Sequence, residues 1–429
     1  MQLLSFCGVF VMLGICVALS RDRKAIRWKL VGVGLLLQVL LGFVFLSWDG
    51  GNAALQACGR GVDSFLRLSQ DGTNFVFGAL VDQDRQWVTG DPETGEHQAG
   101  GIFVFAFMVL PTLIFFSSFM AVLYHLGIMQ WVVRGMAWLM VRVLGTSGSE
   151  SLSACANVFV GQTEAPLLVR PFLARMTSSE LFTVMVGGFA TIAGSVFALY
   201  VSFVGGADPE QRAMVAGHLM VASVMAVPAG LVCSKLLWPE TEHSETLGRV
   251  EKAEGSPYGS VVEAAAAGAG DGLKLALNVG AMLIAFLSLV AVMNACLGWA
   301  HDSLSIQGVL SVVFYPIAAV MGVPGEEIGV LSELIGTKLV LTELVAFQQL
   351  GEMKAAGEVS PRTALIASFA LCGFANVGSV AIQVGGLGAM APDRRGDLAK
   401  IGLRAMFAGA IATCMTACVA GVLSSTASS

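Results

Sequence analysis

The sequence predicts an all-α polytopic membrane protein with eight transmembrane helices plus two oppositely oriented re-entrant hairpins, built as an inverted repeat. Three observations predict it. The 429 residues are 55% hydrophobic and only 13% charged, against about 25% charged in soluble domains, and the mean hydropathy is +0.76. Apolar runs near the roughly 20 residues a span needs recur along the chain, whereas a closed β-barrel would show short alternating segments. Finally, a phrase is repeated, "GGFATIAGSV" at Gly187–Val196 and "CGFANVGSV" at Cys372–Val380, each inside an apolar segment.

The first span is 2–19. No basic residue precedes it and Arg21, Arg23 and Lys24 follow, the reverse of a secretory signal's charge order. It therefore reads as a true span with its N-terminus outside. The second, 29–48, is framed by Trp28 and Trp48, residues suited to the two interfaces. An acid-rich external segment, 49–100, leads to a third span at 101–127. Residues 1–128 are thus expected to be N-terminal scaffold. In 129–144, Gln130, Arg134, Trp138 and Arg142 fall four apart. Such a face suits a helix lying on the cytoplasmic membrane surface, or an ordinary connecting helix.

Residues 150–175 are apolar but interrupted by "GQTEAP", Gly161–Pro166, and read as a hairpin that enters and leaves on one side. A span at 180–204, carrying the first phrase, and another at 212–237 complete a first repeat, 129–238. The stretch 239–271 is polar, then Ala/Gly-rich, and reads as a cytoplasmic linker. A long span at 272–298 opens a segment, 272–325, that ends in an amphipathic stretch. The second repeat, 326–429, holds a hairpin at 326–350 with Glu326, Glu327, Glu333, Lys338 and Glu343. Spans at 363–389, with the second phrase, and 400–423 follow.

Charge tests this topology. The cytoplasmic segments hold Arg21, Arg134, Arg142, Arg170, Arg175, Arg249, Arg394 and Arg395, while the external 49–100 holds Asp63, Asp82, Asp84 and Asp91. The positive-inside rule is met if both hairpins are re-entrant, with N- and C-termini outside. The net charge of −6 is segregated by loop, and no basic patch with interleaved aromatics points to nucleic acid. The nine cysteines form no CxxC or Cys/His metal spacing and read as apolar packing residues.

The halves match in order. Gln162–Ala165 ("QTEA") corresponds to Leu341–Leu344 ("LTEL"), and Gly188-Phe189-Ala190-Thr191 to Gly373-Phe374-Ala375-Asn376. Paired interrupted segments point to a transporter's central site. A carboxylate at mid-membrane depth costs roughly 2.5–3.5 kcal/mol on insertion scales. Glu164 and Glu343, one per repeat, could meet at the midplane. With Gln162, Thr163, Asn376 and Ser379 they offer a mix of donors and acceptors to a neutral polar solute. Lys338 reads equally as counterion to a Glu or as a substrate contact. Unwound backbone near Gly161, Gly194 and Gly378, with the side-chain oxygens of Asn157 and Thr191, could hold a hard cation. Helix–helix hydrogen bonding accounts for Asn157 and Thr191 as well.

"NVFVGQTEAPLLVRPFL" (Asn157–Leu173), "GGFATIAGSVFALYVSF" (Gly187–Phe203), "AGDGLKLALNVGAMLIAF" (Ala269–Phe286) and "CGFANVGSVAIQVGGLGAMAP" (Cys372–Pro392) resemble the concentrative nucleoside transporter family, in its bacterial eight-span form. The resemblance implies a homotrimer with a fixed scaffold and a transport domain moving like an elevator in the bacterial inner membrane. It implies sodium symport of nucleosides such as uridine, cytidine and adenosine, with no cofactor beyond the coupling ion. Gln162, Thr163 and Glu164 would face the nucleobase, Glu343, Asn376 and Ser379 the ribose, and Phe374 and Val196 the apolar walls. Sodium would be held by Asn157 and Thr191 side chains and by Val160 and Ile192 carbonyls. Gly161-Gln162 with Thr191-Ile192 looks like members that accept both purine and pyrimidine nucleosides.

The alternatives are a proton-coupled nucleoside symporter, or a channel or transporter for another small neutral polar solute. Gly268-Ala269-Gly270-Asp271 spells the GxGD of intramembrane aspartyl proteases. No span offers the second Asp that chemistry needs, and the chain is not expected to be an enzyme.

Overall fold

Two kinds of helix build the computed structural model, which describes residues 1–81, 87–90, 97–100, 105–108, 110–206, 208–250, 258–300 and 305–424. Some are long and unbroken: Trp28–Ser47, Pro209–Leu237, Val261–Trp299 and Pro392–Leu423 each have the length and apolarity to cross a bilayer. Others come as halves. Ser178–Ala190 is followed after three residues by Gly194–Gly205, and Pro361–Leu371 after five by Val377–Met390. The repeated phrases lie at these two breaks.

Local chemistry explains why helices restart where they do. Asn376 caps the second half-helix by accepting from Ser379 N at 2.7 Å, and Thr342 caps Glu343–Ala355 through Val345 N. Capping boxes, Ser147 with Glu150 and Thr177 with Glu180, open Gly148–Ala156 and Ser178–Ala190. Such caps satisfy the orphan amides of a helix start.

Both predicted hairpins are helix–break–helix units whose arms pack on one another. In the second, Ile328–Val340 turns at Leu341 and Thr342 into Glu343–Ala355. The first is less regular. Gly148–Ala156 is one arm, and the return is a 3-10 turn, Ala165–Val169, and the short Arg170–Leu173. Pro166 and Pro171 remove amide donors from that arm and prevent a long α-helix. The repeats interlock: Ser178–Ala190 packs on Arg395–Leu423, which also packs on Pro209–Leu237 and Pro361–Leu371.

The N-terminal part is peripheral. Leu110–His125 and Ile128–Leu144 meet at a 76° bend, where Gly127 has φ +78, a value that favours glycine. Ile128–Leu144 buries Met129, Val133, Ala137, Met140 and Leu144 and exposes Trp131 and Trp138. Asp49–Arg67 packs on Pro209–Leu237, and Asp63 pairs with Arg67 and Arg212, each at 2.8 Å. A two-stranded antiparallel pair, Trp87–Gly90 with His97–Gly100, departs from the all-α expectation. Residues 82–86, 91–96, 101–104 and 109, including the start of the predicted 101–127 span, lie outside the described residues.

The linker expectation for 239–271 is corrected in its second part. Its Ala/Gly-rich part belongs to the 40-residue helix Val261–Ala300, because alanine is the best helix former. Gly268 and Gly272 seat this helix on Leu110–His125: a Cβ at Gly268 would lie 2.7 Å from the Ser117 carbonyl oxygen, and one at Gly272 2.7 Å from Ile114 Cα. The GxGD tetrapeptide is thus a packing seam, with Asp271 exposed and paired to Lys274. The first part, before the undescribed 251–257, is largely exposed and is pinned down at two buried residues, Ser244 and Thr246. Ser244 donates to Glu180 at 2.6 Å, Thr246 and Ser149 hydroxyls lie 2.8 Å apart, and Gly148 N donates to the Thr246 carbonyl at 2.9 Å. Beside it, Lys235 Nζ meets Glu150 at 2.6 Å, both buried.

A central site at the crossing of two broken helices

The second repeat concentrates the polar chemistry. Glu343 is 6% exposed, and both its oxygens are engaged. Tyr200 OH donates to Oε1 at 3.1 Å and Asn376 Nδ2 to Oε2 at 2.8 Å. A carboxylate offers about four lone-pair sites, so capacity remains for further donors. Tyr200 stacks on Phe347 with centroids 4.4 Å apart, which fixes its hydroxyl. Asn376 does two jobs, since its Oδ1 caps the half-helix through Ser379 N at 2.7 Å. Asn376 and Ser379 are buried.

The first hairpin reaches the same half-helix. Gln162 Oε1 accepts from Gln383 Nε2 at 2.9 Å, and the same nitrogen lies 3.2 Å from the Met185 carbonyl. Asn376, Ser379 and Gln383 share one face of Val377–Met390 by their spacing of three and four. Gly188 makes room for the contact, as a Cβ there would lie 2.5 Å from Gln383 Nε2 and 2.9 Å from Gln162 Cβ. Thr163 lies against Gly386. Val196 is buried near the start of Gly194–Gly205, and Phe374, partly buried, packs against the core.

Glu164 and Glu343 bond to different partners and not to each other. Glu164 is exposed at the hairpin turn and folds back to accept from Gly161 N at 3.1 Å. The two carboxylates sit in unlike surroundings because Glu343 opens a buried helix and Glu164 an exposed turn. Lys338 makes no direct ion pair among the described residues, though its charge and that of Glu343 act on each other. Its buried Nζ donates to the Ala370 carbonyl at 2.8 Å and to Thr413 Oγ1 at 2.9 Å.

The proposed cation ligands cluster at the first break. Asn157 Nδ2 donates to the Ser153 carbonyl at 2.9 Å, while its buried Oδ1 has no partner. The Thr191 hydroxyl donates to the Gly187 carbonyl at 2.9 Å, leaving its lone pairs free to accept. Val160 and Ile192 lie outside helices, at the hairpin turn and the break. Gly194 N donates to the Phe159 carbonyl at 3.1 Å and ties that turn to the break. An orphaned buried amide oxygen costs about 1–3 kcal/mol, and a hard cation among neutral oxygens would satisfy it.

Tyr200 and Gln383 escape a reading by motif. Tyr200 is four residues from Val196 and Gln383 four from Ser379, so helical spacing from the candidates was the available signal.

Buried polar groups gathered where interrupted helices of two repeats cross define a membrane transporter with a central site. The relatives narrow this class. Family models match as "Na+ dependent nucleoside transporter N-terminus" over residues 7–80, "Nucleoside recognition" over 106–207 and "Na+ dependent nucleoside transporter C-terminus" over 218–421. The mouse protein "Sodium/nucleoside cotransporter 1" is 43% identical over 98% of this chain and 64% of its own length. The chain thus spans under two thirds of the mammalian relatives it matches. A Haemophilus influenzae "Uncharacterized transporter" is 42% identical over 97% of both. The solved structure of "CNTnw in an inward-facing substrate-bound state" superposes with a TM-score of 0.88 at 43% identity over 99% of both chains. The chain belongs to the concentrative nucleoside transporter family. Its relatives are transporters, not enzymes.

Proposed function

We propose that this protein imports nucleosides across the bacterial cytoplasmic membrane by sodium symport, accepting both purine and pyrimidine nucleosides. The observation that carries this reading is Glu343, a buried carboxylate held by Tyr200 and Asn376, together with the orphaned Asn157 oxygen near the first break. In it, Glu343, Asn376 and Ser379 hold the ribose, and Gln162, Thr163 and Glu164 face the base. Phe374 and Val196 wall the pocket, and Gly161, Gln162, Thr191 and Ile192 tune selectivity. Asn157 and Thr191 side chains, with Val160 and Ile192 carbonyls, take the sodium.

The chain has eight spans, both termini outside, and re-entrant hairpins. It works as a homotrimer in which a transport domain moves past a scaffold. Related CNTnw structures described as inward-facing, outward-facing and intermediate support alternating access. The exposed apolar side chains of Leu277, Ile284 and Val292 on the long helix support a scaffold surface for copies or lipid. One charge moved through 100 mV is worth about 2.3 kcal/mol. With a tenfold sodium gradient, one coupled ion sustains roughly several-hundred-fold accumulation.

Labelled uridine uptake into proteoliposomes tests the proposal. Uptake is expected in sodium and not in choline buffer; equal uptake removes the sodium coupling. A competition panel of adenosine, guanosine, cytidine, thymidine and free bases sets the breadth.

A further inference from the structure

The two breaks are related by the repeat, yet they are finished differently. Aligning Gly188-Phe189-Ala190-Thr191 on Gly373-Phe374-Ala375-Asn376 puts Ala370 opposite Met185, within two residues of Gly187. In the first repeat, Asn157 ends the leading arm of its hairpin and lies against Gly187. A Cβ on that glycine would be 3.4 Å from Asn157 Nδ2. In the second repeat, the leading arm instead sends Lys338 to the corresponding end of Pro361–Leu371.

Lys338 is 2% exposed. Its ammonium takes the Ala370 carbonyl at 2.8 Å and Thr413 Oγ1 at 2.9 Å, both neutral oxygens. Among the described residues no carboxylate lies within ion-pair distance of it, whereas Lys235, Lys274, Arg67, Arg175, Arg212 and Arg394 each have one. Ala370 is one of the last residues of its half-helix, where carbonyls lack intrahelical partners and the helix end is partially negative. Thr413 also packs against the break, since a Cβ on Gly373 would lie 2.9 Å from Thr413 Cγ2. A positive charge held by neutral oxygens at a helix C-terminus is what a bound alkali cation would be.

We propose that the Lys338 ammonium is a tethered cation that finishes the second break as a sodium ion finishes the first, so that the protein needs one coupling ion and not two. Lys338 is a positioning residue. It fixes the end of Pro361–Leu371, and through the five-residue break the cap residue Asn376 that grips Glu343. This rests on the reading of Asn157 and Thr191 as sodium ligands.

The test is thermal unfolding of the full-length detergent-solubilised protein in sodium or choline chloride at equal ionic strength. Wild type, Asn157→Ala, Lys338→Ala and the double variant are compared. Sodium is expected to raise the Tm of wild type and not of Asn157→Ala. Lys338→Ala, which opens space and removes the charge, is expected to unfold at lower temperature in choline and to recover in sodium. The double variant is expected to respond to sodium again. A double variant indifferent to sodium overturns the tethered cation. A wild type indifferent to sodium, with Lys338→Ala responsive, would instead sink the Asn157 site and leave Lys338 standing.

Lys338→Gln decides the matter should the alanine variant not fold, since it keeps two donors but no charge. The KM for uridine is expected to rise by about tenfold or more at unchanged membrane abundance. A Gln variant with wild-type KM and wild-type sodium half-saturation overturns the proposal.

Discussion

The Phe374 amide donates to the Thr191 carbonyl at 3.2 Å, joining the two repeated phrases at their breaks. Thr191 stands among the proposed cation ligands, and Phe374 two residues before Asn376. One hydrogen bond therefore connects the proposed cation ligands with the proposed sugar contacts. Neighbouring backbone is just as close. A Cβ on Gly373 would fall 2.6 Å from the Phe189 carbonyl oxygen.

Gly373→Ala is expected to disturb this crossing. The added methyl meets backbone, which cannot step aside as a flexible side chain would, so overpacking should cost about 1–3 kcal/mol. Thermal unfolding should show a lowered Tm with reduced uridine uptake. Gly385, with nothing within 4 Å of its would-be Cβ, is the control, and Gly385→Ala should leave both unchanged.

Glu343→Gln is expected to abolish useful transport while folded protein persists. The amide accepts from Tyr200 or Asn376 through its oxygen, but its nitrogen then faces the other donor. Losing a buried charged acceptor costs about 2 kcal/mol or more, so kcat/KM for uridine should fall by roughly 30-fold or more. Tyr200→Phe removes one donor and should show a smaller loss. Normal transport by Glu343→Gln would refute the ribose assignment.

Gln383→Leu is expected to change which nucleosides compete with uridine, since Gln162 loses the donor that orients it. The rank order of inhibition should shift, with the sodium half-saturation kept. An unchanged panel would mean that Gln383 only packs.

Lys235→Met is expected to destabilise by about 3–5 kcal/mol, because it strands the buried Glu150. Adding Glu150→Leu should restore much of that loss, since an apolar pair avoids the desolvation of two charges. Chemical or thermal unfolding of the single and double variants measures it.

Much of this molecule is legible in its residues. Apolar length marks the long helices, and polar words inside apolar runs mark the breaks, because both report on depth. What hydropathy does not report is the direction a side chain takes around its helix. Tyr200 and Gln383 were missed for that reason, although their spacing from Val196 and Ser379 carried the information. Glu164 and Glu343 look alike in "QTEA" and "LTEL", but one accepts from Gly161 N at an exposed turn and the other is enclosed by Tyr200 and Asn376. For Lys338 the sequence suggests a carboxylate or a substrate, because no sequence pattern announces a free helix-end carbonyl. The Ala/Gly run before 272 was read as a loop, when alanine favours helix and the glycines let two helices touch.

The long helix Val261–Ala300 has a geometric consequence. Forty residues make a rod about 60 Å long, roughly double the hydrocarbon layer of a bilayer. Leu277, Ile284 and Val292 are exposed along about 22 Å of that rod, an oily rail that runs through most of the thickness of such a layer.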